Sequence, residues 1–154
     1  MAKRIADTLA SADASKADTY RARLETFDGG LRILEETYGE KFAAAPRKTI
    51  VTGHAAFGAL CDQFGLEQKS VEDVFAHGEP TVKKLAELAR WCKENGVHTV
   101  FSESMVSPAV SETLAREAGA KVVPIFTMES SEDGSPFLTR MEANLKRIAD
   151  ALAD

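Results

Sequence analysis

Cysteine is scarce in this chain: Cys61 and Cys92 stand far apart and form no Cys-x-x-Cys pair. Two such residues are too few for a disulfide framework, and they set no redox compartment. Cys61 lies beside Leu60 in a helical stretch, where a small buried hydrophobe is the expected role rather than a nucleophile. Long apolar runs are missing as well; none approaches the roughly 20 residues a membrane-spanning helix needs. Positive charge is in deficit, with a formal net charge of -5 at pH 7. No helix carries a Lys/Arg face flanked by exposed aromatics, so nucleic acid is not an expected partner. Nucleotide and acyl-transfer signatures are absent too: there is no GxGxxG, no Walker pattern and no Gly-x-Ser-x-Gly elbow around Ser102 or Ser104. The opening residues, Met1 to Asp7, hold a basic pair but no signal-peptide hydrophobic region, so the chain as written is expected to carry no export address.

What remains is an ordinary globular composition, 44% hydrophobic and 28% charged over 154 residues. That size accommodates one core of domain scale. Tyr20, Leu24, Phe27, Leu31, Leu34 and Tyr38 recur at alternating four- and three-residue steps, which predicts one face of a long helix starting near Ala17. Gly29 and Gly30 fall in its middle, where a bend or a close contact is plausible. A shorter helix, about Ala2 to Ser11, precedes it.

After Pro46 short apolar runs alternate with helical segments, the pattern of a parallel sheet with crossover helices. The strands read at about Thr49 to Thr52, Ser70 to Phe75, Thr99 to Ser102 and Lys121 to Thr127. The helices read at about Ala55 to Phe64, Pro80 to Asn95, Pro108 to Ala118 and Pro136 to Leu152. Pro80 and Pro108 suit first helical turns, Ser107 is a candidate cap, and Gly65, Gly96 and Gly119 suit carboxyl ends. The expected fold is therefore α/β: a four-stranded parallel doubly wound sheet flanked by helices, preceded by a long linking helix. Residues 1–45 form the helical segment and residues 46–154 the α/β lobe. With strand one between strands two and three, right-handed crossovers put Cys61 and Cys92 on opposite faces of the sheet, out of disulfide reach.

Ligands of open α/β sheets bind beyond the carboxyl ends of the strands. Strand one runs into Gly53-His54, strand two into His77-Gly78-Glu79, strand three into Glu103 and strand four into Glu129. Imidazole and carboxylate gathered at one rim are donors that zinc and manganese accept. The plainer reading stays open beside it: His54 as a polar helix cap, Glu103 and Glu129 as solvated loop acids, His77 as an exposed turn residue. His98 precedes its strand and belongs to the other rim.

The same residues carry a resemblance. Gly53-His54-Ala55-Ala56-Phe57-Gly58 with Phe64-Gly65-Leu66 resembles the stretch that opens the second lobe of zinc-type, cluster 9 ABC-transporter solute-binding proteins. Glu79-Pro80-Thr81, then Phe101 to Glu103 with Ser107-Pro108, then Gly119 to Val122 and Met141 to Leu145 follow in the family's order. Ile5 to Phe42 is similar to the region of its rigid linking helix. The resemblance implies a carboxyl-terminal lobe that contributes two of the ligands for a divalent metal, Zn2+ with Mn2+ as the alternative.

In that frame His54 is the first ligand. Glu129 replaces the family's usual aspartate, Glu103 matches a glutamate that more often supports than coordinates, and His77 matches no usual ligand. It implies further an ABC-transporter membrane permease as partner of the full-length receptor, an amino-terminal lobe that this chain lacks, and an extracytoplasmic location. An excised second lobe is the expected origin, with a truncated gene product as the other. Two readings of different class stand beside this one, a flavodoxin-like enzyme using the strand-end acids and a lone α/β interaction module.

The apolar face from Tyr20 to Tyr38 generates a first test. Without a second lobe to cover it, the chain is expected to pair with a copy of itself or to exchange its helix. Light scattering at tens of micromolar should give a mass above that of one chain, and a clean monomer would refute the expectation.

Overall fold

The structure, a computed structural model, describes residues 1–72, 81–103, 108–129 and 133–154. Two compact units divide it, Met1–Thr37 and Tyr38–Asp154. The first holds helix α1 (Ala2–Ala12), a short 3-10 turn (Ala14–Lys16) and the greater part of helix α2 (Ala17–Ala44), which is continuous through Gly29 and Gly30. Ile5, Ala6 and Leu9 of α1 line an apolar groove with Tyr20, Leu24 and Phe27 of α2. Burial there is thin, since Ile5 is 55% exposed and Leu9 43%.

The second unit is built on four parallel strands, β1 (Thr49–His54), β2 (Glu67–Glu72), β3 (Thr99–Glu103) and β4 (Lys121–Ile125), in the order β2-β1-β3-β4. Between and after them run α3 (Gly58–Phe64), α4 (Val82–Glu94), α5 (Ala109–Ala118) and α6 (Phe137–Ala153). Because β1 is central, the connection to β2 and the connection from β2 to β3 run in opposite directions. Right-handed crossovers then place α3 on one face and α4 and α5 on the other.

Alternate strand residues follow that division. Val51, Val71 and Val100 pack with Ala89, Cys92, Leu114, Ala115 and Ala118 of α4 and α5. Ile50 and Phe101 instead line a small cavity with Leu152 of α6, and Phe42 packs edge-on against Phe64 with ring centroids 5.0 Å apart. Fully burying a Leu, Ile, Val or Phe side chain contributes about 1.5–3 kcal/mol. These two layers are accordingly the main source of the fold's stability.

Several boundaries depart from the sequence reading, each for a local reason. The second strand begins at Glu67 and not at Ser70, while residues 73–75 lie outside the described ones. Gly65, left-handed at φ 64°, closes α3. Leu66 N–H then donates to Cys61 O and Glu67 N–H to Lys48 O, so pairing starts at once. As an edge strand β2 can carry Glu67, Gln68 and Lys69, and these polar residues hid it from a reading by apolar runs. The last strand ends at Ile125 and not at Thr127, because Asn144 of α6 takes over the next peptide groups: Phe126 N–H donates to Asn144 Oδ1 at 2.9 Å and Asn144 Nδ2 donates to Phe126 O at 2.7 Å. Pro124 is tolerated on this edge, where no further strand needs its missing N–H, and its carbonyl accepts from Arg147 Nη1.

The third helix starts at Gly58 and not at Ala55, and α4 starts at Val82, with Thr81 Oγ1 accepting from Lys84 N–H at 3.2 Å. The first-turn role given to Pro80 and the capping role given to Ser107 fall outside the described residues. Helix α5 follows Pro108 with no side-chain cap bond.

Cys61 and Cys92 are both buried and free. Burial pushes each thiol up to about 11, Asp62 adding to the effect at Cys61. An unfolded thiol titrates near 8.5, so the stabilisation from keeping them neutral is complete below that pH and is lost as pH rises through about 11. Native chain should leave both thiols unlabelled by a disulfide reagent at neutral pH and give both up in denaturant. The melting temperature should fall above about pH 9, less steeply in a Cys61→Ala, Cys92→Ala variant.

Candidate metal-binding site

His54 is the last residue of β1 and Glu103 the last of β3, so the two adjacent central strands end side by side. Both are buried, at 6% and 2% exposure. His54 N–H donates to Glu103 Oε1 at 3.1 Å, and the same oxygen lies 3.3 Å from His54 Nδ1. That second contact is close enough for an ion pair but is not angled as a hydrogen bond, and among the described residues Nδ1 has no other partner.

The carboxyl group finds room there because position 53 has no side chain. A Cβ on Gly53 would lie 2.7 Å from Glu103 Oε2 and 2.9 Å from Ser111 Oγ. Ser111 is itself buried and donates to Phe101 O at 3.4 Å. Among the described residues Glu103 Oε2, also buried, has no hydrogen-bond partner.

The turn that leaves β1 is held from the other side. Thr52 Oγ1 donates to His54 O at 2.7 Å, Gln68 Nε2 donates to the same carbonyl at 3.0 Å, and Ala56 N–H donates to it at 3.0 Å. Gln68 Nε2 also donates to Thr52 Oγ1 at 2.7 Å, and Gln68 Oε1 accepts from Phe57 N–H at 2.9 Å. Phe57, 4% exposed, anchors the far end of the turn in the core.

Of the residues singled out from the sequence, the structure therefore brings His54 and Glu103 into contact. Glu129 is exposed in the segment after β4, next to Met128, whose φ of 69° is unusual for a residue with a side chain. Among the described residues no three His, Cys, Asp or Glu side chains are gathered closely enough to hold a metal ion. His77 lies outside the described residues. His98 immediately precedes β3, at the amino end of the sheet. Thr52, Gln68 and Ser111 were not visible as site residues in the sequence, and only Thr52, two positions before a strand-end histidine, had any local signal.

A doubly wound parallel lobe preceded by a long helix is a fold found in solute-binding proteins. The family described as zinc-uptake complex component A, periplasmic, matches residues 1–151, and the chain belongs to that family. A relative in Treponema pallidum (strain Nichols), whose name proposes metal binding, is 40% identical over 96% of this chain and 47% of its own length. The zinc-binding protein AdcA of Streptococcus pyogenes is 32% identical over 94% of this chain and 29% of its own. Among solved structures, a Zn(II)-bound mutant variant of AdcAII from Streptococcus pneumoniae superimposes with a TM-score of 0.86 at 31% identity, covering 98% of this chain and 55% of that one. The chain thus spans about half or less of the length of these relatives.

The close approach at Gly53 gives a direct test. A Gly53→Ala methyl meets buried Glu103 and Ser111 oxygens, so the strand ends must shift, at about 1–3 kcal/mol of stability. Urea unfolding should show that loss and the His54 ring resonances should move; an unchanged midpoint with unmoved resonances would mean the strands yield freely.

Proposed function

We propose that this chain is the second lobe of the substrate-binding component of an ABC importer for a divalent transition metal, zinc before manganese. The observation that carries the reading is the His54–Glu103 pair. Metal-binding histidines commonly direct one ring nitrogen to a carboxylate, which fixes the ring and leaves the other nitrogen for the ion. With Nδ1 against Glu103, Nε2 is the nitrogen for the cargo. Glu103 then orients the ligand and does not itself coordinate. Glu129 is the second ligand from this lobe, reaching the ion from an exposed segment, and His77 stays a candidate. A nitrogen donor in the set favours zinc over manganese, whose preference is for carboxylate, carbonyl and water oxygen.

Transport makes this lobe a carrier, not an enzyme. The family's periplasmic description supports an extracytoplasmic setting, and the membrane permease is reached through the whole receptor. The remaining ligands belong to an amino-terminal lobe, in keeping with the share of its relatives that this chain spans. Zinc is normally held by four ligands, or by three with water in the fourth place. Two ligands with water completing the shell should bind only weakly.

Calorimetric titration of the chain with Zn2+ tests this. Weak binding is expected that vanishes in His54→Ala, persists in His98→Ala and declines on acidification, because a protonated imidazole has no lone pair for the metal. Submicromolar binding that survives His54→Ala would overturn the assignment. Turnover of a substrate by the chain, independent of metal, would favour an enzyme instead.

A further inference from the structure

We infer that Gln68 is a positioning residue for the metal ligand, setting His54 in place through its main chain. The inference rests on His54 being a ligand, as argued above. Gln68 sits on β2, the edge strand, and is not itself one of the proposed metal donors. Its primary amide nonetheless makes three bonds into the turn that carries His54: to Thr52 Oγ1, to His54 O and from Phe57 N–H.

The chemistry of these three partners leaves one orientation for the amide. Thr52 Oγ1 uses its hydrogen on His54 O, so towards Gln68 it acts as an acceptor. His54 O is an acceptor and Phe57 N–H a donor. Nε2 must therefore face Thr52 and His54, and Oε1 must face Phe57; a flipped amide would set oxygen against oxygen and N–H against N–H. No carboxylate can replace it, because Glu offers only acceptors when ionised. No hydroxyl reaches three partners with this mixture of roles.

The outcome is a histidine whose two flanking peptide groups are both tied. Its N–H is held by Glu103 on β3, and its carbonyl receives Thr52, Gln68 and Ala56. With the main chain fixed on both sides and Nδ1 against Glu103, little freedom remains to the direction of Nε2. Glu103 alone leaves the carbonyl side of the residue to swing with the turn. Gln68, with Thr52 and Ala56, limits that swing, and it ties the carbonyl to the neighbouring strand, so the ligand is held in a coordinating direction before the ion arrives.

The test uses the chain with Gln68→Met, which keeps the volume without the bonds, and Gln68→Glu, which keeps an acceptor for Phe57 N–H and loses both donations. Thr52→Val removes a different member of the same network and serves if either Gln68 variant fails to fold. In metal-free protein the His54 ring signals should move in all three while those of His98 stay. In Zn2+ titrations well below the unfolding temperature, affinity should fall about tenfold, the scale of outer-shell substitutions at metal sites.

Variants that unfold at lower urea while His54 signals and Zn2+ affinity match the parent would show a clamp on the strand alone and overturn the inference. The same holds if nothing changes. If parental Zn2+ binding survives His54→Ala, the metal reading falls by itself. Movement of the His54 signals on Gln68 substitution would then still establish the positioning contact.

Discussion

A carboxyl group with no exposed side-chain surface must be answered from inside the protein, and Glu103 imposes that demand on the centre of the sheet. Removing an ionised carboxylate from water costs several kcal/mol unless hydrogen bonds and countercharge offset it. The chain meets part of the demand by bringing the His54 N–H and imidazole to Oε1, and it makes room for the group by leaving position 53 without a side chain. Strand order, the glycine and the histidine are thus parts of one arrangement. Altering any of them disturbs the other two, since β1 and β3 are hydrogen-bonded neighbours at the middle of the sheet.

The sequence was most legible where burial is strongest. β1 and β3 are buried on both faces and read as compact apolar runs, so their ends, and with them His54 and Glu103, could be found by following the strands to the carboxyl rim. α5 and α6 were clear because their apolar residues recur at helical spacing and glycine or proline marks their limits. β2 was misplaced for the opposite reason. An edge strand needs few inward-facing hydrophobes, and Val71 is its buried apolar residue. That displacement left Gln68 in a presumed loop, and the network around His54 stayed invisible with it. Side-chain amides that bond main chain across strands leave no periodic mark. Asn144, fully buried on α6, is a second instance: its sequence context is an amphipathic helix, and its partner Phe126 lies 18 residues away.

The two compact units differ in what holds them. Within Met1–Thr37 the buried apolar residues are Ala6 and Leu34. The ion pairs there, Lys3–Asp7, Lys16–Asp13 and Arg21–Asp18, are short-range and largely exposed. Such pairs contribute little, at most about 1 kcal/mol each. Tyr38–Asp154, in contrast, buries the aliphatic layers on both sides of its sheet. Cooperative unfolding should be governed by the second unit, with the helical pair opening at lower cost.

Edge position has one more effect on the turn after β1. Among the described residues β2 is hydrogen-bonded to the sheet along one side, through β1. Strands of that kind fray before interior ones, and each excursion of β2 carries the Gln68 amide away from the His54 carbonyl. The lifetime of the ordered turn is then tied to the opening rate of the outermost strand and not to the far slower rate of the core. Amide hydrogen exchange at Phe57, whose N–H is held by that side chain, would report that rate directly, and with it how quickly the imidazole can change direction.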